Sequence, residues 1–160
     1  MIGPKNSGKT SESILYALKN IHEEKCIYYT SSSKNILSER ISSNNINESW
    51  QHSNKLFLYE APIINFSFNS IDDKNLMQVL LGIIKPIEII KPNKIVFDEI
   101  TPFLNFSDLE LLEKVFKKIF VYLNFYKTKA LFTLSEPVSQ RAKLVGEILK
   151  REFSESYYLT

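Results

Sequence analysis

Near the amino end of the chain stands Gly3-Pro4-Lys5-Asn6-Ser7-Gly8-Lys9-Thr10, a run of the form G-x-x-x-x-G-K-T. The residue types in it suit one kind of chemistry, the holding of a polyphosphate. Gly3 and Gly8 allow a tight turn and a close backbone approach to an anion that a Cβ would obstruct. The amide N–H groups of the loop and of the next helix's first turn, through Ser11, then converge on that anion. The helix dipole adds to the attraction. Lys9 reaches the outer phosphates, and the Thr10 hydroxyl is a ligand for Mg2+. Of the chain's 4 glycines, 2 fall in this window, which makes chance a poor source of the pattern. The plainer alternative is a glycine turn opening a helix with Lys9 in solvent; the helical pattern that follows favours the phosphate reading.

A phosphate loop needs an acid across from it. Ile95-Val96-Phe97-Asp98 is an apolar run ending in one, the form of a Walker B strand. Asp98 at the carboxyl edge of a sheet is placed to hold Mg2+ through a water, opposite Thr10. Glu99 follows at once and is the candidate general base for an attacking water. Lys9 and Glu99 are thus the candidate catalytic residues, and Thr10 and Asp98 the candidate metal ligands. At the end of the next strand Ser135 reads either as a sensor of the terminal phosphate or as a helix cap before Pro137. Arg141 and Lys143 read either as charges offered to a neighbouring subunit's nucleotide or as a solvated helix face.

The elements that must position these residues alternate along the chain. Ile14, Leu15, Leu18 and Ile21 recur at helical spacing and predict a helix from Thr10 to about Glu23. Strands are expected over residues 25–30, 56–60, 94–99, 129–135 and 153–159. A short helix is expected through Ile36, Leu37 and Ile41, and surface loops over 42–54 and 61–70. An amphipathic helix runs from Asp72 to about Ile84, with Pro86 ending or kinking it. Ser107 and Glu110 have capping-box spacing for a helix to about Tyr126, and Pro137 opens a last helix to about Arg151. Such alternation predicts an α/β sandwich, one domain over residues 1–160, with a mostly parallel sheet covered on both faces.

Composition narrows the function classes. The 160 residues include 17 lysines, 3 arginines and a formal net charge of +2, spread rather than clustered, so a nucleic-acid face is not expected. The aromatic residues fall within strands and at helical spacing, as Phe116 and Phe120 do, and are expected in the core rather than on a base-stacking platform. The single Cys26, the absence of a visible leader or spanning segment and the ordinary charge content fit a cytoplasmic protein away from membranes. With His22, His52 and Cys26 as the only such donors, a His/Cys metal site is not expected.

Taken together, GPKNSGKT, KPNKIVFDEITPFL, and a long helix followed by ALFTLSEP resemble the RecA/KaiC-like branch of P-loop NTPases over nearly the whole length. The resemblance implies ATP as ligand with Mg2+, a homo-oligomer or partner protein, and slow hydrolysis serving a regulatory or conformational change. The absence of an Asn-Lys-x-Asp stretch favours ATP over GTP. This chain departs from the family pattern twice. The acid expected after the second strand is replaced by Ser32 or Ser33, which leaves a nucleotide-binding switch without turnover as the alternative. Only Met1 and Ile2 precede the phosphate loop, so its strand, usually in the middle of the sheet, is expected to be largely missing, the gap filled by a partner, another copy or a different start. A small-molecule phosphotransferase lacks its arginine-bearing lid here, and a recombinase-like DNA protein lacks its basic aromatic loop.

Overall fold

In the computed structural model, which describes residues 2–3, 8–30, 34–43, 53–60, 73–100, 108–135 and 140–152, strand and helix alternate as the apolar periodicity dictates. The elements are β1 (Ile2–Gly3), α1 (Lys9–Leu18), β2 (Cys26–Thr30), α2 (Lys34–Ser43), β3 (Leu56–Glu60), α3 (Asp73–Gly82), α4 (Ile84–Ile90), β4 (Lys94–Asp98), α5 (Leu109–Phe125), β5 (Lys129–Phe132), β6 (Leu134–Ser135) and α6 (Gln140–Glu152).

Four of the strands form one sheet in the order β3-β2-β4-β5, every pair parallel. Only Thr133 separates β5 from β6. Its N–H donates to the Phe97 carbonyl at 2.9 Å, so its backbone faces β4. Because peptide groups alternate along a strand, Leu134 faces the other way, and there β1 pairs with β6 in parallel, Ile2 beside Leu134 and Gly3 beside Ser135. The strand leading into the phosphate loop is thus two residues long and lies beyond β5–β6 from β4.

Alternation along the strands divides the core in two. Cys26, Tyr28 and Val96 face α1 and α2 and pack with Ile14, Ala17, Ile21, Leu37 and Ile41. Ile27, Ile95, Phe97 and Phe132 face the other way, against apolar side chains of α4, α5 and α6. Helices therefore cover both faces, as expected. On the second face Tyr59, Tyr29, Phe97 and Phe132 stand in register across all four strands. Their neighbouring rings lie 5.2, 5.5 and 4.4 Å apart. Each such pair contributes about 0.5–1.5 kcal/mol beyond the area it buries, so this row fixes the register that brings the strand tips level. These aromatic residues are core, as their spacing predicts.

Local boundaries differ from the sequence reading for identifiable reasons. Helix α1 stops at Leu18, not near Glu23. Lys19 leaves the helix (ψ 123°) and Asn20 takes a left-handed φ of 57°. Ile21 is still buried, but from a turn, and Leu15 is half-exposed at 49%. The helix expected to reach about Ile84, with Pro86 ending or kinking it, breaks at Ile83, and a second helix, α4, runs on through Pro86 to Ile90. Pro86 is the third residue of α4, in a first turn where its missing N–H removes no intrahelical bond. The cap of α5 is Asp108, one residue later than Ser107: its Oδ1 accepts from the N–H groups of Glu110 and Leu111 at 2.9 and 3.0 Å. Ser107, Pro137, the strand expected over 153–159, the 61–70 loop and most of the 42–54 loop lie outside the described residues.

Candidate phosphate and metal site

The site is built where the carboxyl ends of the parallel strands line up. Register places Thr30 between Glu60 and Asp98, and Gly3 beside Ser135, so the strand tips share one edge. Helix α1 starts at that edge. Its cap, Gly8, has φ 84° and ψ 3°, the left-handed region that a side chain penalises. A Cβ added there would meet nothing within 4 Å, so the need for glycine is one of backbone conformation rather than space within the protein.

Gly8 offers no side chain to cap α1. The first helical bond runs from the Glu12 N–H to the Gly8 carbonyl at 3.0 Å. The N–H groups of the turn before it precede the helical ladder, the place where a helix start attracts an anion. Lys9 is only 6% exposed. Pro4, Lys5, Asn6 and Ser7 lie outside the described residues.

Across from the turn, the tip of β4 carries Asp98, also 6% exposed. The Thr10 hydroxyl donates to Asp98 Oδ1 at 3.4 Å and the Thr133 hydroxyl donates to the same oxygen at 3.2 Å. Burial raises the Asp98 pKa above the ordinary carboxylate range. The Tyr28, Thr133 and Thr10 hydroxyls oppose that shift, and the neighbouring Glu99 adds to it. Beneath the pair, Ser13 Oγ donates to the Thr10 carbonyl at 2.8 Å and lies 2.7 Å from the Tyr28 hydroxyl. The first turn of α1 is thereby tied to β2 as well as to β4.

Glu99 is half-buried with φ 64°, and its N–H donates to Thr133 Oγ1 at 2.6 Å. Ser11 lies in the first turn of α1, partly exposed. Ser135 reaches the same edge by its backbone position, next to Gly3. Lys143 is exposed on α6. Ser32 and Ser33 fall outside the described residues.

The structure thus brings the Gly8–Thr10 turn beside the tip of β4 that carries Asp98 and Glu99, Thr10 and Asp98 being 88 positions apart in sequence. It adds Thr133, Ser13 and Tyr28, which the sequence reading passed over. Thr133 gives a faint signal as a polar residue inside the apolar run Leu131-Phe132-Thr133-Leu134. Ser13 stands one helical turn from Thr10, and Tyr28 shares the strand face of Thr30.

The donor set suits Mg2+. Among the described residues no group of three or more His, Cys, Asp or Glu side chains gathers to enclose a metal. One buried carboxylate beside one hydroxyl is instead the sparse protein contribution that Mg2+ accepts when phosphate oxygens and waters complete its shell. Among the described residues no helix is long and apolar enough to cross a membrane.

No protein-family model matches the chain, nor does any curated protein. Among solved structures it is similar to a KaiC-like protein of the hyperthermophilic archaeon Pyrococcus horikoshii, with a TM-score of 0.62 at 17% identity. The likeness covers 86% of this chain and 60% of that protein, so this chain spans somewhat more than half the length of its neighbour. The shared feature is the fold: an α/β sandwich of the RecA-like kind.

Proposed function

We propose that this chain binds ATP with Mg2+ at the edge formed by Gly8–Thr10 and Asp98, and that it hydrolyses the nucleotide slowly to drive a regulatory or conformational change. The observation that carries this reading is the approach of Thr10 to Asp98 at 3.4 Å, two residues 88 positions apart whose types match the two halves of a phosphate–metal site. The fold shared with a KaiC-like protein supports it.

In this reading the amides of the α1 turn bind the phosphates, together with those of Pro4–Ser7 that carry one. Lys9, a buried lysine, neutralises the outer phosphates. Mg2+, when bound, supplies charge neutralisation of the phosphate oxygens. Thr10 and Asp98 are the residues that would hold it. Glu99 accepts the proton of the attacking water, and Ser135 contacts the terminal phosphate. A second copy of the chain or a partner protein lies against the short β1 edge.

Calorimetric titration of ATP into the wild-type protein and Lys9→Ala tests the binding claim. Removing a charge-assisted contact predicts a loss of at least about tenfold in affinity. Equal binding by the two proteins would remove Lys9 and the loop from the account. The second reading, a switch without turnover, is favoured by Ser32 and Ser33 at the position where the RecA/KaiC resemblance expects an acid. Phosphate release decides between them. Release that falls in Glu99→Gln supports hydrolysis, and release no greater than in a protein-free blank supports the switch.

A further inference from the structure

The hydrogen bonds around Glu99 depart from a regular parallel ladder in one place. In a regular ladder a residue donates its N–H to one neighbour across the strands and accepts, through its carbonyl, from the residue two further on. Thr133 donates to the Phe97 carbonyl at 2.9 Å, so its carbonyl should accept from Glu99. It accepts instead from the Ile100 N–H at 3.1 Å. Glu99 is therefore an extra residue, extruded as a bulge with φ 64°.

A bulge leaves an orphaned N–H, and here the Thr133 side chain takes it, at 2.6 Å. The same hydroxyl has one proton to give, and gives it to Asp98 Oδ1 at 3.2 Å. Acceptor and donor roles are both filled, on a residue that is 0% exposed. The backbone of Thr133 thus grips the chain on either side of the two acids, and its side chain grips the acids' own segment.

On the reading of the site as an Mg-nucleotide site, we infer that Thr133 is a positioning residue for both acids. Its hydroxyl holds the same carboxylate oxygen of Asp98 that Thr10 meets. It also holds the bulge that takes Glu99 out of the in-and-out alternation of β4. A regular strand would send the residue after Asp98 to the opposite face, toward α4 and α5 (the face of Phe97), away from the α1 turn. The bulge allows two consecutive acids to serve one edge. Substrate contact is not part of this role: Thr133 acts through Asp98 and Glu99.

The test separates the hydroxyl from the methyl. Thr133→Val keeps the shape and β-branching and removes the hydroxyl; Thr133→Ser keeps the hydroxyl and removes the methyl. ATP affinity is measured by calorimetry with Mg2+ and with a chelator in its place, and unfolding is followed without ligand. Thr133→Val should keep the chelator affinity within about twofold and lose about tenfold or more of the gain that Mg2+ gives, the scale of one hydrogen bond to a charged group. Thr133→Ser should retain that gain within about threefold. A purely structural role would lower the unfolding midpoint and leave the Mg2+ gain intact, which would overturn the inference. So would loss of the gain in Thr133→Ser, an outcome that remains readable even if Thr133→Val does not fold. Absence of ATP binding by the wild-type protein would overturn the nucleotide reading and this inference together, whereas a normal wild-type response with indifferent Thr133 variants would overturn this inference alone.

Discussion

Two glycines with the same empty surroundings should respond to alanine in opposite directions. Neither Gly8 nor Gly82 has a heavy atom within 4 Å of where a Cβ would stand, so packing is silent at both. Gly8 has φ 84°, and Gly82 closes α3 without a left-handed φ. Forcing alanine into the left-handed region costs about 1–2 kcal/mol. The stiffer unfolded chain returns about 0.4–1 kcal/mol. Gly8→Ala should therefore lose about 1 kcal/mol of stability, or roughly 2–4 °C in Tm for a chain of this size. Gly82→Ala should gain about 0.5–1 kcal/mol, since nothing opposes the entropy term. Urea denaturation of the two variants beside wild type measures both. Nucleotide binding then divides strain from function: on the proposed reading Gly8 belongs to the phosphate turn, so Gly8→Ala should lose at least about tenfold in ATP affinity while Gly82→Ala loses none. A Gly8→Ala protein as stable as wild type would refute the conformational account of the turn. Reduced stability with full affinity would refute the cradle.

Three further outcomes follow from the geometry. Asp98 has its pKa raised chiefly by burial, so the native state holds that proton more tightly than the unfolded chain does. Its contribution to stability is full below the unfolded value of about 3.9 and is lost as pH rises through the higher folded value. Without ligand, Asp98→Asn should thus gain on wild type in denaturation midpoint from acid toward neutral pH; a constant difference would contradict this. Asp108→Ala removes the cap that accepts two N–H groups of α5 and should cost about 1 kcal/mol, read by thermal unfolding. Cys26 is 0% exposed, and burial pushes its thiol up to about 12. Iodoacetamide at pH 8 should therefore label it only on addition of denaturant, as mass spectrometry will show.

The parts of the fold legible in the sequence were those set by periodicity and by a single apolar run. β2, β3 and β4 fall where their apolar residues put them, and α5 ends within a residue of its expected limit. Less legible were the places where backbone conformation overrides side-chain pattern. Ile21 fits a helical period and is buried, yet Asn20 at φ 57° had already ended the helix. Pro86 interrupts the helix one turn before its own position, because it has no N–H for the carbonyl four residues back, that of Gly82, where α3 ends. The site shows the same division. Thr10 and Asp98 could be paired from their types alone. Thr133 could not, because its role comes from a bulge one strand away, and no residue type announces a bulge at a glutamate.

The central claim is that the backbone amides of the α1 turn face a bound triphosphate with Asp98 across from them. The most direct measurement is the amide spectrum of isotope-labelled protein as Mg-ATP is added. The account predicts that the largest proton shifts, downfield as new hydrogen bonds form, belong to Gly8, Lys9, Thr10 and Ser11, with Asp98 and Glu99 moving in the same titration and all of them still in Lys9→Ala at the same concentration. Unchanged amides at Gly8–Ser11 while shifts gather on another face would contradict it.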